Sequence, residues 1–216
     1  MSNKRTYAVF GLSSYGWAVA KELVRSGAEV LAVDSDEELI NIAIKEIPYC
    51  KCADVTEMEV IKQLGIENID VVIIAMANNL EASVMATMLC KEVGVKTVIA
   101  KCSDEMHRKI LKKVGADRVV FPEKESGVRL AKNILSAGFV DIMELSEDVS
   151  VLEMDVKPEW EGKTLKELNL RKKYELNVVA IRKKQDIYIS IDPEESLDAT
   201  MKLIVIANAE TLKKLK

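Results

Sequence analysis

A glycine- and serine-rich turn near the start of the chain has residue types that bind phosphate. Its sequence, Gly11-Leu12-Ser13-Ser14-Tyr15-Gly16, follows a short apolar run and matches the dinucleotide pattern G-x-G-x-x-G with serine at the second glycine. In that pattern the first glycine allows a tight turn, the second lets the backbone approach a pyrophosphate, and the third allows close helix packing. Ser13 adds a Cβ at the closest approach, but its hydroxyl can also bond a phosphate oxygen. The turn alone fits either a nucleotide site or a phosphate-free turn.

An acidic residue at the end of the second predicted strand strengthens the nucleotide interpretation. Asp34 lies 18 residues after Gly16, and a ribose-binding carboxylate is found about 20 residues after the glycine turn. A carboxylate there pairs with ribose hydroxyls and repels a 2′-phosphate, which favours ATP, ADP or NAD over NADP. The alternative is a surface aspartate that caps the next helix, a role that Ser35 and Asp36 can also fill.

The ends of later predicted strands supply further polar side chains. Open parallel sheets bind ligands at the carboxyl ends of their strands, where this chain has Asp54-Val55, Ala75-Met76, Asn78 and Lys101. We expect Asp54 to face an adenine edge, and Asn78, Asn79 and Lys101 to serve phosphate or ribose. Each of these polar residues fits a helix cap or a solvated position equally well.

The sequence shows no recognisable set of catalytic side chains beside this predicted binding site, and we assign no catalytic residue. His107 is the only histidine, falls in the middle of a predicted helix and is expected on a solvated or interface face. The chain has four cysteines and one histidine, too few at suitable spacing to predict a structural zinc site. We expect the cysteines to be reduced, mostly buried cytosolic thiols. The sequence therefore predicts binding without catalysis.

Strand-like and helix-like segments alternate regularly over the first part of the chain. This alternation predicts an α/β fold, a Rossmann-like six-stranded parallel sheet with helices on both faces. We expect Thr56 to cap the helix after the third strand, and Pro122 to start a helix that runs to about Ala137. The predicted strands are Tyr7–Phe10, Glu29–Val33, Tyr49–Cys52, Val71–Ala75, Thr97–Lys101 and Arg118–Phe121.

The pattern changes at Gly138, which we expect to break the last long helix. The sequence then predicts a small C-terminal α+β domain over 139–216, after a nucleotide-binding domain over 1–138. A domain of this size is small enough to need a partner surface for stability. Its predicted strands are Ile142–Leu145, Ser150–Val156, Asn177–Arg182, Ile187–Ile191 and Lys202–Ala207, and its predicted helices are Leu165–Leu168 and Glu210–Leu215.

Composition and charge exclude several partners. The net charge is −4 with the two signs mixed along the chain, and no long Lys/Arg block occurs, so nucleic acid is not an expected partner. No apolar run approaches the roughly 20 residues of a membrane span, and the first residues lack an apolar secretory segment. We therefore expect a cytoplasmic protein with no direct membrane insertion.

Six segments, in this order, resemble the cytosolic regulatory subunits of Ktr/Trk potassium uptake systems, the regulator-of-potassium-conductance family. They are FGLSSYGWAVAKEL, GAEVLAVDSDEE, CADVTEMEVIKQLGI, DVVIIAMANNLEAS, KVGADRVVFPEKESG and NVVAIRKKQDIYISIDPEESL. The resemblance covers essentially the whole chain. It implies a nucleotide-binding Rossmann domain, a crossover helix and a small C-terminal domain. It also implies homodimers that assemble into a ring, often an octamer, under an integral-membrane potassium transporter subunit at the inner face of the plasma membrane.

The resemblance further implies that ATP, ADP, AMP or NAD(H) reshapes the ring and so alters the pore. It implies that Glu123 lies by the phosphates at the dimer interface with a divalent cation, Mg²⁺ or Ca²⁺. The alternative is an ordinary first-turn acid after Pro122. Ser13 stands where the family has the second glycine, and Ser14 stands where the family often has an arginine that reaches the phosphates. The identity of the nucleotide therefore stays open among ATP, ADP, AMP and NAD(H). The residues that match the family's nucleotide site are Gly11, Ser13, Ser14, Gly16, Asp34, Asp54, Asn78 and Lys101.

In some family members the C-terminal domain binds cyclic di-AMP between two copies. The strand Val178–Arg182 resembles that region, and it fits a plain dimer strand as well.

The rival functions are a small NAD-dependent oxidoreductase and a free-standing nucleotide sensor. Dimer contact or core packing is predicted for the apolar helix positions Met85, Met88, Leu89, Leu130 and Ile134.

Overall fold

A computed structural model of the chain describes residues 5–135, 139–146, 148–208 and 210–211. The chain divides into two units, Met1–Glu123 and Lys124–Lys216. The domain boundary predicted after residue 138 differs from this division after Glu123, and it stays a prediction. Gly138, Ala137 and most of the predicted helix Glu210–Leu215 fall outside the described residues. Within the described part of the chain, no helix is long and apolar enough to cross a membrane.

The first unit is built on a six-stranded sheet whose neighbouring strands all pair in parallel, in the order β3-β2-β1-β4-β5-β6. This confirms the predicted Rossmann-like fold. The strands are β1 (Thr6–Phe10), β2 (Glu29–Asp34), β3 (Tyr49–Cys52), β4 (Val71–Ile74), β5 (Thr97–Lys101) and β6 (Arg118–Val120). The helices are α1 (Ser14–Arg25), α2 (Glu37–Ala43), α3 (Met58–Gln63), α4 (Leu80–Glu92) and α5 (Glu105–Lys113), with a 3₁₀ turn at Ile66–Asn68. Helix α6 (Pro122–Leu135) begins with the last two residues of the first unit and continues into the second.

Two apolar cores sandwich this sheet because successive strand residues point to opposite faces. On β1, Phe10 packs into one core, whereas the adjacent Val9 packs into the other. All four residues of β4 are buried, as a central parallel strand covered on both faces requires. The strand order reverses between β1 and β4, and their carboxyl ends therefore flank the crevice in which such folds bind ligands.

Polar caps fix the helix starts on the crevice side. The carboxylate or amide oxygens of Asp36, Asn79 and Asp104 accept hydrogen bonds from the first-turn N–H groups of α2, α4 and α5. The prediction that Thr56 caps α3 is wrong. Its hydroxyl donates to Asp54 Oδ1 at 2.7 Å, and α3 begins two residues later. Thr56 closes the loop after β3 instead.

The second unit contains a five-stranded antiparallel sheet in the order β10-β9-β11-β8-β7, which confirms the predicted α+β domain class. Along β11, buried and half-buried residues alternate, so one face of the sheet covers the core around Trp160. The predicted strand Ile187–Ile191 stops at Tyr188. The elements are β7 (Phe139–Glu144), β8 (Val149–Asp155), α7 (Leu165–Leu168), α8 (Leu170–Tyr174), β9 (Asn177–Lys183), β10 (Asp186–Tyr188) and β11 (Met201–Asn208), with a 3₁₀ turn at Pro158–Trp160.

Candidate functional site

The turn between β1 and α1 has a backbone shape that requires both of its glycines. Gly11 has φ +90°, and a Cβ there would lie 2.7 Å from Met76 Cγ. Left-handed backbone of this kind is strained for any residue with a side chain. A Cβ on Gly16 would come within 1.9 Å of the Gly11 carbonyl oxygen. These close approaches bring the start of α1 against the end of β1.

The two serines of the turn lie where α1 begins. Ser13 is the residue that precedes α1, makes no side-chain cap and places its hydroxyl 3.5 Å from the Ala75 carbonyl oxygen. Ser14 is the first helical residue and is exposed. The first turn of α1 has no acidic residue. Its N–H groups and the helix dipole therefore present a partial positive charge to an incoming anion.

Asp34 is fixed in place by the backbone of two loops. Its Oδ2 accepts a hydrogen bond from the Leu12 N–H at 2.6 Å, and its Oδ1 accepts one from the Asp36 N–H at 3.0 Å. Each oxygen keeps a second lone pair for an outside donor. Since Asp36 carries the helix cap, the cap does not require Asp34. The Leu12 side chain is buried in an apolar core of the sheet, and the Leu12 N–H donates to Asp34.

A cavity of about 550 Å³ opens at the carboxyl ends of the strands of the first unit. Its size is within the range of about 300–1,000 Å³ typical of ligand pockets. The predicted residues that line it are Gly11, Ser13, Asp34, Ser35, Asp54, Val55, Ala75, Met76, Asn78, Asn79 and Lys101. The predicted residues that are not among its lining are Leu12, Ser14, Tyr15, Gly16 and Glu123.

The structure adds lining residues to which the sequence analysis gave no ligand role: Val33, Leu39, Ala53, Thr56, Glu81, Ala82 and Met85. Selection from strand ends alone overlooks the helix walls. A signal existed at the start of α4, where Ala82 and Met85 follow the capping residue Asn79 at intervals of three and therefore share one helix face with it. Leu39 carries no comparable sequence signal because only the packing of α2 turns it towards the cavity.

Carboxylates surround much of this cavity. Asp54 accepts hydrogen bonds from the hydroxyl and the N–H of Thr56, and these bonds, the hydroxyl first, lower the pKa of Asp54. Glu81 and Asp34 also line the cavity. Lys101 is the sole cationic side chain among the described lining residues. The position of this ammonium therefore decides where anionic groups can bind.

Lys101 is held between Glu123 and Tyr15. Its side chain is 11% exposed, and its Nζ lies 2.5 Å from Oε1 of Glu123, whose side chain is 61% exposed. The Nζ also lies 5.5 Å from the ring centroid of Tyr15, within the range of a cation–π contact. The hydrogen bond from Lys101 lowers the pKa of Glu123. Glu123 and Tyr15 thus contact the lining lysine although neither lines the cavity.

The prediction that His107 lies on a solvated or interface face is wrong. The residue is 2% exposed, and its Nε2 lies 3.1 Å from the hydroxyl oxygen of Ser83 on α4. Its Nδ1 lies 3.3 Å from the hydroxyl oxygen of Ser103. Burial lowers the pKa of His107. The packing of α5 against α4, which sequence periodicity did not resolve, turns this side chain inward.

The cysteines only partly follow the expectation of buried thiols. Cys90 and Cys102 are buried, whereas Cys50 is half-buried and Cys52 is exposed. Cys50 and Cys52 both lie on β3, which is an edge strand. Burial raises the pKa of Cys90 to about 12. No group of three or more His, Cys, Asp or Glu side chains in the described ranges is placed to hold a metal ion.

The second unit has a smaller groove of about 260 Å³ beside α8 and the start of β9. Of the predicted ligand strand, Val178 lines it, whereas Ala180 and Ile181 are buried. The Arg182 guanidinium is engaged by Glu153 at 2.7 Å. The groove is lined by Leu165, Asn169, Leu170, Arg171, Leu176, Asn177 and Val178.

The five apolar positions predicted for a dimer contact or the core divide by burial. Leu89 belongs to the core, and Met85 lines the large cavity. Met88, Leu130 and Ile134 are exposed, so a contact between copies stays a prediction for these three.

A parallel sheet of order 3-2-1-4-5-6, with a glycine turn after β1, an acid at the end of β2 and a cavity at the strand ends, defines the Rossmann class of nucleotide-binding folds. Residues 7–122 match the TrkA-N domain, and residues 150–216 match the TrkA-C domain. The chain belongs to the family of Ktr and Trk potassium uptake proteins, as its sequence segments indicated.

Curated relatives match over nearly their whole length. The chain is 38% identical over 205 residues to Ktr system potassium uptake protein C of Bacillus subtilis, covering 95% of this chain and 93% of that protein. It is 34% identical over 214 residues to Ktr system potassium uptake protein A of the same organism, covering 99% and 96%. It is 33% identical over 208 residues to Ktr system potassium uptake protein A of Vibrio alginolyticus, covering 96% and 94%.

Solved structures share the fold of the chain. The GsuK channel matches with a TM-score of 0.71 at 15% identity, covering 99% of this chain and 39% of that chain. The crystal structure of the GsuK RCK domain matches with a TM-score of 0.53 at 26% identity, covering 99% and 46%. The chain thus spans less than half of each of these solved chains.

Proposed function

We propose that the protein is a cytosolic, nucleotide-binding regulatory subunit of a potassium uptake channel or transporter. The observation that carries the proposal is the cavity at the strand ends, with Asp34 on one side and Lys101 on the other. It occurs in a chain that is similar throughout to Ktr system potassium uptake proteins. Its partners are an integral-membrane potassium transporter subunit and further copies of itself, as a homodimer that assembles into a ring, often an octamer.

An adenine nucleotide fits the chemistry of the cavity. The remaining lone pairs of Asp34 can accept hydrogen bonds from ribose hydroxyls, and the same carboxylate repels a 2′-phosphate. The glycine turn and the N-terminus of α1 suit a pyrophosphate. The apolar side chains of Leu39, Val55 and Met85 offer surface for the base. These features support ATP, ADP, AMP or NAD(H) as the ligand, with NADP disfavoured.

Regulation requires a nucleotide that binds two ring states with unequal affinity, because equal affinities shift no equilibrium. A coupling of about 1–3 kcal/mol changes the pore equilibrium by about 5–150-fold. We infer that charge at the phosphates acts on α1 and α4, which begin at the cavity. The ring contact then transmits the change to the transporter subunit at the inner face of the membrane.

A divalent cation is a second proposed ligand. Glu123 is exposed at the start of α6 and adjoins Lys101. It is one carboxylate, and Mg²⁺ or Ca²⁺ takes about six to eight oxygen ligands. We therefore propose that nucleotide phosphates, water or a second copy of the chain complete any such site.

The groove in the second unit is a candidate for cyclic di-AMP. Apolar Leu165 and Val178 can pack against a base, and the exposed Arg171 can pair with a phosphate. We therefore propose the start of β9, rather than the whole strand Val178–Arg182, as the part of each copy that contacts a cyclic di-AMP molecule bound between two copies. We keep it as a proposal with the same binding assay as for the nucleotides.

Catalysis is not part of the proposed function. No described histidine lines the cavity, and His107 is buried against Ser83. The titratable side chains that line the cavity are those of Asp34, Asp54, Glu81 and Lys101, and we propose that they bind or repel a ligand rather than transfer protons. Turnover of NADH with a carbonyl substrate would support the rival oxidoreductase, and a lasting monomer without any transporter partner would support the free-standing sensor.

Thermal unfolding with ATP, ADP, AMP, NAD, NADH or cyclic di-AMP, each with and without Mg²⁺, tests the proposal. A ligand at 100 times its Kd stabilises the folded chain by about 2.7 kcal/mol. We expect adenine nucleotides to raise Tm and Asp34→Ala to abolish that rise, whereas the matched control Glu37→Ala, outside the cavity lining, retains it. Ring-sized oligomers and co-purification with a potassium transporter complete the test. A stable monomer that binds no nucleotide refutes the proposal.

A further inference from the structure

The ion pair between Lys101 and Glu123 involves two side chains of very different freedom. The lysine side chain is 11% exposed and the glutamate side chain is 61% exposed. In the sheet, Lys101 pairs in register with Val120, so the strand end places its side chain near the start of α6. The ammonium is fixed by burial, whereas the carboxylate can rotate into solvent. Any rearrangement at this pair is therefore a movement of Glu123.

The charges around the cavity make this pair decisive for an anion. The described lining residues include three carboxylates, those of Asp34, Asp54 and Glu81, and one ammonium, that of Lys101. The ammonium is already neutralised by Glu123 at 2.5 Å. A phosphate group that enters meets no unneutralised cationic side chain among these residues, and a negative charge stands next to the cation that it requires.

We propose that Glu123, when no divalent cation is bound, is an internal anion that competes with nucleotide phosphates for Lys101 and thereby disfavours highly charged nucleotides. The inference rests on the proposed nucleotide-binding function and adds the determinant of ligand charge. A phosphate either displaces the carboxylate and breaks the ion pair, or binds beside it and is repelled. Both routes weaken metal-free binding, and the repulsion grows with the charge on the phosphate chain.

The test measures dissociation constants for adenosine, AMP, ADP and ATP by calorimetry in EDTA, with the full chain and with Glu123→Gln. Exposed ion pairs contribute little individually, so we expect AMP to bind about twofold more tightly to the variant and ATP at least about fivefold more tightly, with ADP between them. Adenosine carries no phosphate and should bind equally to both proteins. Glu123→Asp keeps the charge and should resemble the wild type.

Three results would overturn the inference. One is an unchanged or weaker affinity of Glu123→Gln for all three nucleotides. Another is an equal gain for adenosine and ATP, which would indicate a general change in the cavity rather than charge competition. The third is a gain in Glu123→Asp equal to that in Glu123→Gln. If the wild type and Lys101→Met alike bind none of the nucleotides, the proposed nucleotide function itself fails, which is a separate outcome.

Discussion

Replacement of Asp34 by asparagine tests two roles of its carboxylate, the stabilisation of the folded chain and the binding of ribose. In the wild type the two carboxylate oxygens accept from the Leu12 N–H at 2.6 Å and from the Asp36 N–H at 3.0 Å. An asparagine side chain has one oxygen, so one of these N–H groups loses its acceptor and the other loses the charge on its acceptor. Hydrogen bonds to charged groups contribute about 1.5–3 kcal/mol each. We therefore expect Asp34→Asn to lower the free energy of unfolding by about 1.5–3 kcal/mol.

The same substitution should weaken nucleotide binding by about tenfold or more, because loss of one ribose hydrogen bond to a charged group corresponds to about 1.4 kcal/mol or above. Urea denaturation without ligand measures the first effect, and calorimetry with ADP and NADH measures the second. Asp36→Asn is the matched control. Asparagine caps helices as well as aspartate does, and Asp36 is not among the cavity residues, so neither quantity should change much.

Two results would refute this reasoning. Wild-type affinity for ADP in Asp34→Asn would show that ribose is not bound at this carboxylate. Unchanged stability would show that the short contact with the Leu12 N–H contributes no net free energy. A gain of NADPH binding in the variant would support the assignment, since the repulsion of a 2′-phosphate would be gone.

Three further substitutions and labelling experiments test the structure itself. Gly11→Ala should destabilise the chain by at least about 1–2 kcal/mol in urea because φ is +90°. Gly127→Ala should stabilise it by about 0.5–1 kcal/mol, because a Cβ added at this position inside α6 meets nothing within 4 Å beyond its own helix. The lowered pKa of His107 means that the unfolded chain binds more protons, so stability should fall as pH drops below about 6.5, and His107→Gln should flatten that decline in urea titrations at pH 5–8. Exposed Cys52 should react with a thiol reagent within minutes, and buried Cys90, whose pKa is raised to about 12, should react only on unfolding; equal rates would contradict the burial.

Much of the fold could be predicted from the sequence because local signals agree with one another. Glycines close most of the helices of the first unit, and caps such as Asp36 and Asn79 open them. The apolar run of β4 is typical of a strand covered on both faces. Thr56 misled the prediction because threonine favours loop closure and helix capping for the same chemical reason, its hydroxyl.

The candidate site could be predicted along the chain but not across it. The strand ends and the glycine turn gave most of the residues that line the cavity. Met85 and Leu39 were missed because they enter from helix faces whose orientation depends on packing. His107 was placed on the wrong side of α5 for the same reason, since its partner Ser83 is on another helix.

The edge strands of the two sheets are short or irregular, and this affects the tendency of the chain to aggregate at high concentration. The edge strands β3, β6 and β10 have four, three and three residues, too short to offer a long row of unpaired backbone groups. The fourth edge, β7, is longer but its pairing with β8 is interrupted between Val140 and Met143. Short and irregular edges discourage strand addition by neighbouring chains. The described sheet edges therefore disfavour the addition of a strand from a neighbouring molecule, which lowers the tendency of the folded chain to aggregate through its sheets.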